Sequence, residues 1–329
     1  MSERVILVLG AGASRGVSYA RKASIPSPLD RDYFDLLQRF EHSTKDDGAV
    51  SAVLQWAQEL PFEYWRSMEQ CFYTLQSRSY LARKLSVHGS FPTDAEVITA
   101  FVNATGALLR AAHGMQSCSH HAALLEKLTK RDAVCTFNYD LVPERALKTV
   151  AQAGSVDFGP WVYGWKLDTA PPGWNAPALL KLHGSFSWDV PTPGDKYFPI
   201  AIESWDDLED YPRYRRFKTE STRFPIFLPF WDKRVEEAPW RTVWRSALNR
   251  ITKCTNLIVW GYSLPRTDLK AYQLFVLARP NLTNLCVIDP NTETRDKWRK
   301  IFLKARFFEY SSADAFLKSP PDWWQAITP

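Results

Sequence analysis

The sequence has 329 residues, of which 45% are apolar and 23% are charged, the composition of a soluble globular chain with ample core. Its net charge of +5 tolerates an anionic ligand but is too small to indicate a nucleic-acid-binding protein. The five cysteines are scattered without a C-x-x-C pair, which favours reduced thiols over a disulfide framework or a zinc ribbon. No apolar run approaches the length of about 20 residues that spans a bilayer, so we expect no membrane segment.

The first predicted strand leads directly into a glycine-rich turn. Val5–Leu9 is an unbroken apolar run, typical of a parallel strand that is covered on both faces. The residues of the turn are candidates for cofactor binding: Gly10, Ala11, Gly12, Ala13 and Ser14. Glycine lets a backbone approach closely and direct its N–H groups at a pyrophosphate, although an ordinary tight turn has the same composition. The dinucleotide fingerprint G-x-G-x-x-G fails, because Arg15 breaks its spacing and no second strand with an acidic end follows.

Residues 30–121 are predicted to form a helical insertion. Asp30 follows a proline-punctuated loop and is both a candidate helix cap and a candidate cofactor-binding residue. The T-D-A-E sequence that begins at Thr93 is a capping box and predicts the start of a long helix. The adjacent His120 and His121 have no carboxylate or cysteine at ligand spacing, so the sequence predicts no metal site.

Two later strands are each predicted to end in polar residues. The run A-V-C-T-F-N-Y-D, residues 133–140, begins as a buried strand and ends with Asn138 and Asp140. A second strand at 178–182 leads in the same way to His183. Because parallel strands present their carboxyl ends at one edge of a sheet, we expect these three side chains to form an active site. For Asp140 the alternative is a purely structural role.

The C-terminal third alternates strands with helices. A strand at 256–260 leads into Gly261 and Ser263, and a strand at 285–288 leads into Asp289. Asp289 is a candidate for binding a ribose hydroxyl, with a plain helix cap as the alternative. The alternation predicts an α/β fold, a Rossmann-like doubly wound and mostly parallel sheet, in a single domain that spans the chain.

Two irregular insertions rich in tryptophan and proline are predicted at 155–177 and 187–238. In the first insertion, so many large aromatic side chains are costly to leave in water, which indicates an ordered loop or small hairpin rather than disorder. Within the second insertion, residues 213–218 interleave basic and aromatic side chains. This cluster leaves a nucleic-acid contact open, with a solvated face as the alternative.

Five of these motifs occur in the order seen in sirtuin-like proteins, which the sequence resembles over nearly its whole length. The motifs are G-A-G-A-S at 10–14, F-N-Y-D at 137–140, K-L-H-G-S at 181–185, G-Y-S-L at 261–264 and I-D-P at 288–290. The resemblance is closer to the bacterial sirtuin-like NADases of anti-phage defence than to the sirtuin deacylases. It implies a Rossmann-like fold that binds NAD+ as its substrate. The glycine-rich turn would contact the pyrophosphate, Asn138 and His183 would flank the nicotinamide ribose, and the last strands would hold the adenosine.

The sequence departs from the deacylases in three respects. The stretch 187–238 stands where deacylases carry a module of zinc-binding cysteines, and it contains no cysteine, so we expect no zinc. F-N-Y-D replaces the Q-N-I-D that is typical of deacylases, and the insertion at 155–177 lengthens the interval between the asparagine and the histidine. These departures argue against an acyl-lysine substrate and leave the expected NAD+ site intact.

The resemblance implies NAD+ glycohydrolysis, which releases nicotinamide and leaves ADP-ribose. In this scheme Asn138 holds a ribose hydroxyl or the attacking water, and His183 is the general base. Asp140 orients a neighbouring group, and the remaining candidates bind the substrate. The enzymatic alternative is protein deacylation or ADP-ribosyl transfer. The non-enzymatic alternative is a regulatory subunit that binds NAD+ or ADP-ribose without turnover.

An NADase that is always active is toxic, so we expect the activity to be regulated. The sequence contains no recognisable sensor, which favours control by homo-oligomerisation or by a partner protein such as a HerA-type ATPase. The Trp-rich insertions and the pair Trp323 and Trp324 are candidate contact surfaces. With neither a signal peptide nor a membrane segment recognised, the predicted location is the cytoplasm.

Overall fold

The structure of the protein is a computed structural model. The described residues are 4–20, 25–43, 48–85, 93–151, 160–164, 172–186, 188–189, 200–201, 226, 235 and 240–327. Much of the insertion predicted at 155–177 and nearly all of that predicted at 187–238, including the basic cluster at 213–218, lie outside these residues.

The described residues form strands that alternate with helices, as the sequence predicted for the C-terminal third. The strands are β1 (Val5–Leu9), β2 (Ala133–Thr136), β3 (Ala178–Lys181), β4 (Trp188–Asp189), β5 (Ile200–Ala201), β6 (Asn256–Trp260), β7 (Asn284–Ile288) and β8 (Arg306–Tyr310). The α-helices are α1 (Ala11–Arg15), α2 (Tyr33–Ser43), α3 (Gly48–Gln58), α4 (Met68–Lys84), α5 (Asp94–His113), α6 (Ser119–Leu125), α7 (Val142–Val150), α8 (Trp240–Ile251), α9 (Leu269–Val276), α10 (Thr292–Ile301), α11 (Ala313–Lys318) and α12 (Asp322–Gln325). Short 3-10 helices cover Asp30–Asp32, Phe62–Arg66 and Pro160–Tyr163. Across the described ranges, none of the helices combines the length and the apolar character that a bilayer-spanning segment needs.

Six strands form one parallel sheet in the order β3-β2-β1-β6-β7-β8. β1 lies in the middle, where Val8 is in register with Cys135 of β2 and with Val259 of β6. Counted along the chain without the separate antiparallel pair β4–β5, this is the 3-2-1-4-5-6 order of a doubly wound sheet. The predicted Rossmann-like α/β fold is therefore confirmed.

Helices cover the sheet, which explains why its central strands are continuous apolar runs. Every residue of β1, β6 and β7 is buried. Helix α8 packs against β2 and β3, and α10 packs against β7. The last strand, β8, is only partly buried because it lies at the edge of the sheet.

Between β1 and β2 the chain forms helices α2 to α5 around buried aromatic side chains. The rings of Phe72 and Phe101 meet edge to face with centroids 4.4 Å apart, and Tyr33 lies fully buried beside them. Helix α5 begins at the predicted capping box. The N–H of Glu96 donates to Oγ1 of Thr93 over 3.2 Å, and the N–H of Thr93 donates to the Glu96 carboxylate over 2.7 Å.

Asp30 does not cap the helix that follows it, so that prediction is wrong. The residue lies in a 3-10 turn, and α2 begins only at Tyr33. Its Oδ1 instead accepts hydrogen bonds from the N–H of Glu69 over 2.9 Å and the hydroxyl of Ser67 over 3.1 Å. The carboxylate therefore stabilises the first turn of α4, which is distant in sequence and so could not be identified from local spacing.

Candidate active site

The candidate groups lie at one edge of the sheet, where its parallel strands end. They follow five strands: Gly10 after β1, Asn138 after β2, His183 after β3, Gly261 after β6 and Asp289 after β7. The strand order reverses between β1 and β6, and open α/β sheets bind ligands beyond the carboxyl ends of the strands at such a switch point. The topology therefore brings the predicted residues to the edge where a ligand is expected.

The glycine-rich turn after β1 packs directly on the turn after β6. The N–H of Gly12 donates to the carbonyl of Gly261 over 2.9 Å, and Gly261 has a left-handed φ of +63°. A Cβ on Gly261 would lie 2.1 Å from the main-chain nitrogen of Ala13, and one on Gly10 would lie 2.5 Å from the Gly261 carbonyl oxygen. These glycines are thus required by the contact between the two turns, which is a different close approach from the predicted one to a pyrophosphate.

Most of the N–H groups of the glycine-rich turn are already used within the protein. Gly10 donates to the carbonyl of Trp260 over 3.0 Å, and Ala13 donates to the carbonyl of Gly10 over 2.9 Å. Ala11 is exposed at the first position of α1, and its N–H makes no hydrogen bond within the described residues. In this arrangement the turn offers a phosphate group fewer donors than its sequence predicted.

Asn138 is bonded to the glycine-rich turn through its amide nitrogen. Nδ2 donates to the carbonyl of Gly10 over 2.8 Å and to Oγ of Ser14 over 2.9 Å, and the Ser14 hydroxyl donates to Oδ2 of Asp140 over 2.6 Å. Ser14 is 1% exposed, so it joins the two loops and does not face a phosphate. Oδ1 of Asn138 makes no hydrogen bond with any described residue, and it is the acceptor that this side chain presents to a ligand.

Asp140 belongs to a buried network of charged groups. Its carbonyl accepts a hydrogen bond from the ammonium group of Lys181, whose Nζ also lies 2.9 Å from Oε1 of Glu144. The side chains of Lys181 and Glu144 are fully buried. Burial acts to raise the pKa of Asp140, but the charges of His113 and Lys181 and its hydrogen bonds outweigh it, so the pKa lies below its ordinary value. These contacts are those of an ionised carboxylate that supports its neighbours.

His183 is paired with a carboxylate that the sequence did not single out. Its Nε2 lies 2.9 Å from Oδ2 of Asp268, the buried N-cap residue of α9. The same oxygen accepts a hydrogen bond from the hydroxyl of Tyr262 over 2.8 Å. Tyr262 stacks on Phe137 with ring centroids 4.0 Å apart, and Phe137 packs edge-on against the His183 ring at 5.0 Å. Four side chains in a closed ring of contacts therefore fix the position of the imidazole.

The loops that carry Asn138 and His183 are in direct contact. Phe137 and Tyr139, on either side of Asn138, lie with their ring centroids 5.0 Å and 6.4 Å from that of His183. The N–H of Phe186 donates to the carbonyl of Tyr139 over 3.1 Å and closes the contact. Asn138 is 7% exposed and His183 is 8% exposed, so both lie largely enclosed yet reach the surface. The structure thus brings the predicted catalytic pair together.

Three other candidates make contacts of a different kind. Asp289 accepts the N–H of Asn291 over 2.8 Å in a local turn, and burial raises its pKa above the ordinary value. Ser263 is exposed, and its carbonyl accepts a hydrogen bond from the ammonium group of Lys297 over 2.9 Å. Asp30 is bonded to the start of α4, as described above. These contacts assign none of the three residues to a ligand.

Sequence reasoning missed three charged residues that hold the site. Asp268 belongs to none of the sequence motifs, although a capping aspartate six positions after Tyr262 can also accept bonds from side chains in the loop. Lys181 carried a clearer signal, because a lysine within the apolar run 178–182 must find a partner if the strand is buried. That partner, Glu144, is on α7 and has no pattern of its own.

A separate basic groove of about 420 Å³ is lined by residues of the loop after β6 and of helices α9 and α10. It is lined in part by the cations Arg266, Arg279, Lys297 and Lys300. The groove includes none of the predicted site residues. In the part of the chain that the structure describes, no three His, Cys, Asp or Glu side chains are arranged to hold a metal ion.

Several solved structures of Sir2 homologues are similar to this chain. A Sir2 homologue in complex with NAD is 15% identical, with 95% of this chain and 85% of that chain covered at a TM-score of 0.40. A mutant homologue in complex with 2'-O-acetyl ADP ribose is 15% identical, with 96% and 89% covered at 0.44. A mutant homologue in complex with ADP ribose is 15% identical, with 95% and 88% covered at 0.41. Similarity at this level assigns no activity. No protein-family model and no curated protein matches the sequence.

Proposed function

We propose that this protein hydrolyses NAD+ to nicotinamide and ADP-ribose. The observation that carries the proposal is the pair Asn138 and His183, enclosed in adjacent loops at the ligand-binding edge of a Rossmann-like sheet. The motifs around these residues occur in the same order in sirtuin-like NADases. This order supports NAD+ over other nucleotides as the substrate. By the same resemblance, the cellular role we propose is NAD+ depletion in bacterial anti-phage defence.

Asn138 is suited to orient the ribose or the attacking water. Its Nδ2 is hydrogen-bonded to Gly10 and Ser14, so the plane of the amide and the direction of Oδ1 are both fixed. A fixed acceptor can hold a ribose hydroxyl or a water below the anomeric carbon, where positive charge develops as the bond to nicotinamide breaks. The electron pair of that bond leaves with the nicotinamide ring, which becomes neutral.

His183 is suited to remove a proton from the attacking water. As the water oxygen bonds to the anomeric carbon, its proton passes to the imidazole and is later released to solvent, which balances the hydrolysis. An imidazole is the side chain best matched to this role near neutral pH. Asp140 and Ser14 take no part in proton transfer in this scheme, because their contacts serve to hold Asn138.

The test is NAD+ consumption by the purified chain and by Asn138→Ala and His183→Ala. We expect each change to lower the rate by about 100-fold or more, because each removes a group that acts on the reacting atoms. Asn249→Ala and His42→Ala replace the same residue types on exposed helical surface and are expected to retain full activity. Equal rates in the wild type and both site variants would show that the assignment is wrong.

The products separate this proposal from its alternatives. Protein deacylation gives an acylated ADP-ribose, and ADP-ribosyl transfer gives a labelled protein, whereas hydrolysis gives free ADP-ribose. A regulatory subunit binds NAD+ or ADP-ribose in calorimetry but releases no nicotinamide under any condition. Chromatography of the products from nicotinamide-labelled and adenine-labelled NAD+ distinguishes these outcomes in one experiment.

We further propose that the activity is controlled by self-association in the cytoplasm or by a partner such as a HerA-type ATPase. The reason is physiological, since unregulated NAD+ loss harms the cell that makes the enzyme. Light scattering after size-exclusion chromatography, alone and with such an ATPase, measures the assembly, and a parallel NAD+ assay measures its effect. A lone monomer with full activity contradicts this part of the proposal.

A further inference from the structure

Asp268 joins the two halves of the candidate site. It follows β6 and caps α9, where its Oδ1 accepts the N–H of Ala271 over 3.4 Å. Its Oδ2 lies 2.9 Å from Nε2 of His183. His183 follows β3, which is an outermost strand of the sheet. Since Asp268 is only 2% exposed, water does not compete effectively for this bond.

The surrounding groups keep the Asp268 carboxylate in the role of an acceptor. The Tyr262 hydroxyl donates to it, and burial followed by the negative charge of Asp268 holds the pKa of Tyr262 well above its ordinary value. Tyr262 therefore remains protonated, and so remains a donor, above the ordinary pKa of a tyrosine. Tyr139, whose pKa burial also raises well above its ordinary value, and Glu69 on α4 also act on this side of the site, and Tyr33 acts on Tyr139.

We propose that Asp268 is a positioning residue, which holds the Nε2–H of His183 and so makes Nδ1 the basic nitrogen of the imidazole. A neutral imidazole carries one proton, and a carboxylate on Nε2 fixes that proton there. The carboxylate also stabilises the imidazolium that forms when His183 accepts a proton from water. This inference rests on the proposed function for its kinetic consequence, but the tautomer itself can be measured without turnover.

Two substitutions of Asp268 separate its charge from its role as a cap. Asp268→Asn keeps the size and the capping ability of the side chain and removes the negative charge. Asp268→Ser also caps a helix but is too short to reach the imidazole. Tyr262→Phe keeps the stacking on Phe137 and removes only the hydroxyl. The exposed Asp296 and Tyr272 provide the matched controls Asp296→Asn and Tyr272→Phe.

The first measurement is the nitrogen NMR spectrum of the histidine rings, with the His183 signals assigned by their loss in His183→Gln. In the wild type we expect the Nε2–H tautomer, and in Asp268→Asn and Asp268→Ser a mixture of both tautomers. The control Asp296→Asn should leave the spectrum unchanged. The inference is overturned if wild-type His183 carries its proton on Nδ1. It is also overturned if both Asp268 variants have the same tautomer as the wild type, whatever the activity of the enzyme.

The second measurement is the pH dependence of kcat and KM for NAD+. We expect Asp268→Asn to lower kcat by about tenfold to 100-fold with little change in KM, because the base is misplaced while the substrate contacts remain. The acidic limb of kcat/KM should move to lower pH, since without the carboxylate the imidazolium is less stable. An unchanged pH profile with a normal melting temperature overturns the inference. If the wild type consumes no NAD+, only the proposed function fails, and the NMR result still decides the role of Asp268.

Discussion

The two halves of the sheet hold their polar groups in opposite ways. In the first half, the loops after β1, β2 and β3, the bonds join residues distant in sequence: Ser14 and Asp140 are 126 positions apart. In the second half, after β6 and β7, most of the bonds have a shorter range: Asp289 accepts the N–H of Asn291, two positions on, and the carbonyl of Ser263 accepts from Lys297, 34 positions on. We therefore expect the first half to lose stability as a unit, whereas the bond that Asp289 accepts stabilises its own turn. Asp268 joins the two halves, since it is a local cap that also reaches His183 in the first half.

Breaking the buried ion pair of the first half should have the largest effect. Lys181→Met leaves Glu144 buried without its cation and removes the bond to the carbonyl of Asp140, so we expect a loss of about 3–5 kcal/mol in the free energy of unfolding. The double variant with Glu144→Gln should recover much of this loss, because no uncompensated charge remains. Urea unfolding measures both, and a double variant as unstable as the sum of the single variants contradicts the coupling.

Separating the two glycine turns should have the next largest effect. In Gly261→Ala the new Cβ must avoid the nitrogen of Ala13, 2.1 Å away, at a left-handed φ, and we expect a loss of about 2–4 kcal/mol. Gly173→Ala is the matched control, because Gly173 also has a left-handed φ, of +87°, but meets nothing within 4 Å. Its expected loss is about 1–2 kcal/mol. Equal losses in thermal unfolding would mean that the contact between the turns contributes nothing.

Removing the hydroxyl that joins Asn138 to Asp140 should cost less. In Ser14→Ala the Asp140 carboxylate loses one of its donors and the Asn138 amide loses one of its two acceptors, with an expected loss of about 1–3 kcal/mol. Ser51→Ala removes a comparable bond, 2.6 Å to Glu41, at the surface and is expected to change stability by no more than about 0.5 kcal/mol. The NAD+ assay should show a lower rate for Ser14→Ala only.

The smallest expected effect is on how the stability of the fold depends on pH. This effect also compares the two halves of the sheet most directly. The pKa of Asp140 is below its ordinary value of 3.8, so its contribution is present above pH 3.8 and is lost as the pH falls below it. The pKa of Asp289 is raised above 3.8, so its contribution is present at low pH and is lost as the pH rises through the raised value. Asp140→Asn should therefore reduce the loss of stability in acid, and Asp289→Asn should increase it. Melting temperatures from about pH 3 to about pH 6 measure both signs.

The sequence was most informative where a pattern is repeated by neighbouring residues. The apolar runs of β1, β6 and β7 predicted buried parallel strands because a strand covered on both faces needs apolar side chains throughout. Thr93 predicted the start of α5 because a capping box is formed within four residues. The placement of Asn138 and His183 at one end of the sheet followed from strands β2 and β3, since parallel strands all end on the same side.

Prediction was weaker where a residue meets a partner that is far away in the chain. Gly261 was assigned to a ligand, and the structure shows it against Gly12. Asp30 was assigned to the helix after it, and the structure shows it at α4. In each case the residue type correctly predicted that a close contact or a hydrogen bond exists. The residue type could not identify the partner, because the local sequence pattern contains no information about a neighbour that only folding brings near.

The sequence alone thus determined the α/β class, the end of the sheet at which the polar residues gather, and that Asn138 and His183 lie there. Local periodicity and strand ends carry that information, since both depend on residues a few positions apart. The tertiary structure alone decided that Asp268 holds His183, that Ser14 joins Asn138 to Asp140 and that Lys181 is neutralised by Glu144. A buried charge or amide must be satisfied, but which group satisfies it is settled only when the strands are laid side by side and their loops meet.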